Sequence, residues 1–385
     1  MKKIKLTTIT IFSICVALVF AFPLISCKTA VVSETSIVET TVAAGTTVAE
    51  TTVAVETTIP PKDIYTYEKL REMAKTGQYE GEPAKGHKLA FANVIDGPAF
   101  CEDVKNGIKK QWELAGGNSE DLTLLDNKAD VATALKNEDI VFSKKPEVFI
   151  EFQADSKVNA MIGRKAQEEG LFVIAVDITV PGFPFMGVEN YKVGKLTGQW
   201  LVDNIDKKFG SWDSVDLVLV VSQPAAGEAQ TLRVAGQVDA FKDVYGDSAN
   251  PDVKDSKLIL VEAWLEDNAR ENMSNALAAY PNAKNIILSS YTDYGIVAFK
   301  SVLEDLGKWD KSKILVGGLS GGESFNTMIR ENTLDAYVSF FPEKYGEYLV
   351  PGALAFMYDN PVPAYMFVDN EVITLENIDQ FYPVK

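Results

Sequence analysis

The residues of this 385-residue chain that could do chemistry stand just after runs of apolar residues. They are Asn93 to Phe100, Gln153 to Ser156, Asp177, Gln223 to Arg233, Trp264, Tyr291 to Tyr294, Leu319 to Gly321, and Phe340 to Glu343. The set mixes aromatic rings, one arginine and several carboxylates, and it sets no recognisable nucleophile beside a base. Flat rings pack against C–H faces, and charged groups make strong, directional hydrogen bonds to hydroxyls. A saturated ring with many hydroxyls wants that mixture. The chemistry implied is recognition.

The rest of the inventory points the same way. His87 is the single histidine, which argues against a Ser-His-Asp triad or a histidine-rich metal site. The sequence shows no CxxC pair and no phosphate-binding GxxxxGK[ST] loop. No cofactor and no metal are expected. Of the three cysteines, only Cys101 lies in the part expected to fold, so no internal disulfide is available to it. A net charge of −17 repels phosphate backbones and anionic lipid, which disfavours nucleic acid as a partner.

The N-terminus reads as an export signal. Three lysines within Met1–Lys5 precede an apolar run from about Leu6 to Ile25. Leu24-Ile25-Ser26-Cys27 fits a bacterial lipobox, with residues 1–26 removed and Cys27 acylated; a plain transmembrane anchor is the other reading. Residues 27–62 repeat a loose ETTVA unit and end in Ile59-Pro60-Pro61. Such a segment has little to bury against the entropy of ordering, and is expected to be a disordered tether. YEKLREMAK, within 63–87, predicts a short helical lead-in.

The elements that must position the chemical residues begin after Gly86. Apolar runs recur at 88–94, 122–126, 147–152, 171–176, 215–221, 257–264, 285–290, 313–319 and 335–341. Each has the length and Val/Ile/Leu/Phe content of a strand buried on both faces. Segments at helical period separate most of them, as at Phe100, Val104, Ile108 and Trp112. This alternation predicts α/β architecture with parallel sheets covered by helices. More than eight strands favours two doubly wound sheets over one, a single (β/α)8 barrel being the alternative. In open sheets of this kind, ligands bind beyond the C-terminal strand ends.

Three segments carry a resemblance: FANVIDGPAFCEDVKNGIKKQWELAG, FIEFQADSKVNAMIGRKAQEEGLFVIAVD and MGVENYKVGKLTGQWLVD. In order and spacing, the chain from about Lys88 onward resembles the type I periplasmic sugar-binding proteins of ABC importers. The resemblance implies two lobes that close on a ligand about three hinge crossings, near Val188–Asn190, Phe340–Pro342 and Val368–Asp369. Lobe one would be 88–189 plus 342–367, and lobe two 190–340 plus 369–385.

It also implies site residues. Phe100, in GPAFC, matches a ring-stacking aromatic, or is the first core residue of its helix. Asp177 matches a carboxylate that grips two sugar hydroxyls, or caps a turn; Ile178 replaces the arginine that often follows. Arg233 matches the cleft arginine of an RxxG segment, or is an exposed helix-start arginine. Trp264 matches a second stacking aromatic, or plugs a lobe core. Asn190 matches a hinge-side asparagine, or caps the helix after it. Three places depart from the pattern. Tyr291 and Thr292 replace an Asn-Asp pair, with Asp293 displaced by one. Ser320 stands for an expected aspartate, and Phe340 for a glutamine. Fewer charges and more aromatic surface imply a ligand with fewer hydroxyls, or a deoxygenated or aromatic-bearing one.

The function expected from the resemblance is capture of a small sugar or related polyol and its delivery to a permease with its ATPase. The protein would be a monomer, held outside the cytoplasmic membrane, or in a periplasm, by lipid on Cys27. Two alternatives differ in kind. One passes the signal to a chemoreceptor or sensor kinase. The other is an exported carboxylate-only glycan hydrolase, which would need two acids about 5–10 Å apart.

Overall fold

The computed structural model describes residues 62–384 except 265. The expected signal peptide, lipobox and tether lie outside the described residues.

Two separate six-stranded sheets carry the fold. The first contains β1 (Leu89–Asn93), β2 (Leu122–Asp126), β3 (Val148–Glu151), β4 (Phe172–Val176), β5 (Phe185–Gly187) and β11 (Tyr365–Phe367), in the order β11-β5-β4-β3-β1-β2. The second contains β6 (Leu217–Ser222), β7 (Leu258–Glu262), β8 (Ile286–Ser290), β9 (Ile314–Ser320), β10 (Ala336–Ser339) and β12 (Glu371–Thr374), in the order β12-β10-β9-β8-β6-β7. All pairings are parallel except that of β10 with β12. The single-barrel alternative is thereby excluded: the nine apolar runs divide between two open sheets. In the central strands β1, β3 and β8, every residue is buried, which is why they read as unbroken apolar runs rather than alternating ones.

Helices cover both sheets. They are α1 (Tyr67–Thr76), α2 (Ala99–Leu114), α3 (Val131–Lys144), α4 (Ser156–Glu169), α5 (Asn190–Phe209), α6 (Glu228–Tyr245), α7 (Glu266–Ala279), α8 (Asp293–Asp305), α9 (Glu323–Arg330), α10 (Gly346–Met357) and α11 (Ile378–Phe381). Several are started by side chains that satisfy otherwise orphaned backbone N–H groups. Asp130 accepts from the Thr133 N–H, Asp155 from those of Lys157 and Val158, and Thr292 from that of Gly295. In the first lobe Ile108 and Trp112 of α2 are fully buried in one apolar cluster with Leu349 and Leu354 of α10.

The chain passes between lobes three times. It leaves the first sheet after β5 to form α5, which packs on β9. It returns after β10, where α10 packs on α2 and α1. It leaves again between β11 and β12. At the second passage Phe341 has φ +50°, the left-handed region that a residue with a Cβ rarely adopts. The short strands β5, β11 and β12 have no counterpart among the apolar runs. Tyr365 and Phe367 point to solvent around a buried Met366, so β11 is a three-residue alternation too short to stand out.

Candidate functional site

A cavity of about 190 Å³ opens between the C-terminal ends of the two sheets. Phe100, Asp177, Arg233, Trp264, Tyr291, Asp293, Ser320 and Phe340 all line it, so eight of the nine proposed binding residues meet there. Asn190 is not on the wall. It stands behind Arg233, whose Nε donates to Asn190 Oδ1 at 2.5 Å.

Asp177 ends β4 in a tight three-residue turn. Its φ is +58°, and the Ile178 N–H donates to the Val176 carbonyl at 2.6 Å across it. Strained backbone of this kind persists where the surroundings over-determine it, and it concentrates at ligand sites. The carboxylate is buried. Tyr345, at the second passage between lobes, donates its hydroxyl to Asp177 Oδ1 at 3.0 Å. Arg233 Nη2 lies 3.9 Å from the same oxygen, close enough to pair as charges but too far for a hydrogen bond. Burial pushes the Asp177 carboxyl above its ordinary range, and the Arg233 charge and the Tyr345 hydrogen bond only partly offset it.

Arg233 is placed by the crossing of α5 and α6. A Cβ on Gly194 would lie 2.1 Å from the Arg233 carbonyl, so the helix backbones touch where only glycine allows it. That contact brings the start of α5, and hence Asn190, against the guanidinium. The Phe340 ring lies beneath it, with Arg233 Cζ 5.1 Å from the centroid, within cation–π range. Arg233 Nη2 and Gln230 Nε2 are nonetheless buried without a hydrogen-bond partner among the described residues. Leaving buried donors unsatisfied costs about 1–3 kcal/mol each, and both residues line the cavity.

Rings close the remaining sides. Phe100 meets Phe152 and Phe340 at centroid distances of 6.3 Å and Tyr345 at 5.7 Å. Half-buried at the start of α2, it is at once a wall of the cavity and a packing residue. The Tyr291 hydroxyl donates to Gln223 Oε1 at 2.8 Å, and burial raises its pKa. Cys101 also lines the cavity; burial pushes its thiol up to about 12, so it stays protonated and acts as a small apolar contact. The lobes meet at the rim, where a Cβ on Gly227 of the second would lie 2.7 Å from Ser156 Oγ of the first. Among the described residues no group of His, Cys, Asp or Glu could hold a metal ion, and no helix is long and apolar enough to cross a membrane.

Tyr345 was not anticipated, and Gln230 was covered only within the stretch Gln223 to Arg233. Gln230 sits one helical turn before Arg233 and shares its face, a relation readable in the sequence once Arg233 is chosen. Tyr345 had no such cue, since only the return of the chain between lobes brings it to Asp177.

Two parallel α/β lobes with a crevice at their strand ends define a bilobed binding architecture. Residues 89–357 match the family described as periplasmic binding protein domain, and the chain belongs to that family. A curated relative, the D-xylose-binding periplasmic protein of Escherichia coli K12, is 26% identical over 187 residues, 48% of this chain and 50% of the relative. The match thus spans half of that relative's length. An ABC transporter solute-binding protein from Actinobacillus succinogenes 130z, solved with bound D-allose, superposes with a TM-score of 0.63 at 18% identity, over 76% of this chain and 99% of its own. Another from Bacillus halodurans C-125, solved with myo-inositol, gives 0.62 at 16% identity, over 77% of this chain and 97% of its own.

Proposed function

We propose that this protein is the solute-binding component of an ABC importer, tethered by lipid on Cys27 outside the cytoplasmic membrane. It captures one small sugar-like or polyol ligand between its lobes and hands it, chemically unaltered, to a permease with its ATPase. The observation that carries this reading is the arrangement around Asp177. A buried acceptor and two buried donors without hydrogen-bond partners, Gln230 Nε2 and Arg233 Nη2, the latter 3.9 Å from the acceptor, belong to residues that line one small cavity walled by rings. Hydroxyls, which donate and accept at once, satisfy such a set as neither a hydrocarbon nor an ion does.

In this reading the three passages near 188–190, 340–342 and 368–369 act as the hinge between lobe one (88–189 plus 342–367) and lobe two (190–340 plus 369–385). Closure at the Gly227–Ser156 rim excludes water, so each hydrogen bond inside counts for more. The D-xylose, D-allose and myo-inositol of the related proteins are the ligand class expected here.

A thermal-shift screen of the full chain against sugars, polyols, nucleosides and small aromatics tests the ligand. A binder of the native state raises the melting temperature by mass action; stabilisation by sugars or polyols is expected, and stabilisation by nucleosides or aromatics alone would refute the reading. Mass spectrometry of the membrane fraction should find a lipid-modified Cys27, absent in Cys27→Ala.

A further inference from the structure

The cavity has two unlike halves. The first lobe contributes Val94, Ile95, Phe100, Phe152, Ala154 and Ile178, with smaller apolar neighbours around them. Within this lobe's lining, among the described residues, Asp177 and the thiol of Cys101 are the only side chains able to hydrogen-bond. Gln153 sits between two wall residues in sequence, but its Oε1 is turned back to accept from the Ala154 and Asp155 N–H groups. The second lobe carries most of the polar groups. Gln223, Gln230, Arg233, Thr292, Asp293 and Ser320 place amide, guanidinium, carboxylate and hydroxyl groups on the wall, beside the rings of Trp264, Phe325 and Phe340.

A ring with hydroxyls on every carbon cannot satisfy both halves. Those meeting Asp177 and the second lobe find partners; those turned to the Val94–Ile95 and Phe152–Ile178 wall lose water and meet no polar side chain there. A buried hydroxyl without a partner is disfavoured, while a methyl or methylene at the same place gains by leaving water. Asp177 and Asp293 against the single Arg233 leave the charged part of the lining negative, so an acid is not matched.

Resting on the capture of sugar-like solutes proposed above, we infer that the preferred ligand is an amphipathic sugar. Its hydroxyls lie along one edge, and a deoxygenated carbon, methyl or O-alkyl group meets the first-lobe wall. Ile178 is the specificity-determining residue of that wall: it follows Asp177 directly, is buried and lines the cavity.

Calorimetry of the full chain with matched pairs tests this: D-fucose against D-galactose, L-rhamnose against L-mannose, and methyl β-D-xyloside against D-xylose. In at least one pair the deoxy or methylated member should bind about 10–100-fold tighter, the range one apolar group commands in a fitted pocket. Equal or tighter binding of the parent in every pair that binds overturns the inference and leaves sugar capture standing. Silence from every member overturns this inference, while sugar capture stands or falls by the thermal-shift screen. Ile178→Asn, which gives the bare wall an amide, should narrow the preference by about tenfold while binding of the parent sugar persists. A preference unchanged in that variant overturns the assignment of the wall.

Discussion

Asp177→Asn separates what this residue does for the ligand from what it does for the fold. Asparagine keeps the volume, tolerates the left-handed backbone at φ +58° and still accepts from the Tyr345 hydroxyl. Only the charge goes. At 3.9 Å and an effective dielectric of about 20, the attraction to Arg233 is about 4 kcal/mol. Burial nevertheless outweighs it, because the carboxyl is held above its ordinary range. A carboxyl whose pKa is raised on folding contributes most below its unfolded value and loses that contribution as pH rises through its folded value. At pH 7 the charged side chain is therefore a net cost to the ligand-free fold. Arg233 is not stranded by the change, since it keeps Asn190 and the Phe340 face.

The ligand-free variant should accordingly melt no lower than wild type at pH 7. The best ligand of the thermal screen should bind about 30- to 1,000-fold more weakly, the 2–4 kcal/mol lost with a buried charged hydrogen-bond partner. Wild-type affinity should also fall on acidification, beginning above the ordinary aspartate range, while that of the variant stays flat. Calorimetry at pH 4.5, 5.5 and 7.5 with parallel differential scanning decides it. Affinity retained within about threefold at pH 7.5 would remove Asp177 from the site.

Two further outcomes follow from the packing. Gly194→Ala places a methyl where 2.1 Å separates it from the Arg233 carbonyl. It should cost about 1–3 kcal/mol of stability and weaken ligand binding as Arg233 moves; an unchanged urea midpoint would show that α5 and α6 do not touch there. Glu151 is buried, and burial raises its carboxyl well above the ordinary range despite the Asn127 amide donating to Oε1 at 3.1 Å. By the same linkage, Glu151→Gln should gain on wild type as pH rises above about 4.3, the unperturbed glutamate value, in urea titrations at pH 4.5 and 7.5. Equal differences at both pH values would mean that Glu151 is not held neutral.

Local pattern by itself determined the α/β class and nine of the strands, because a strand covered on both faces must be apolar along its whole length. It also pointed to Asp177 and Trp264, which stand just past the ends of β4 and β7, whereas Arg233, inside α6, was singled out by the family resemblance. Tertiary structure decided what no single segment contains. The strands β5, β11 and β12 form because partners complete them; Tyr365 and Glu371 carry no strand pattern of their own. Asn190 stands behind Arg233 rather than on the wall because two helices cross on glycine. Tyr345 reaches Asp177 across 168 residues of sequence. The split of the cavity into an apolar and a polar half belongs to neither lobe alone, since it exists only where two sheets, each folded on its own pattern, bring their strand ends face to face.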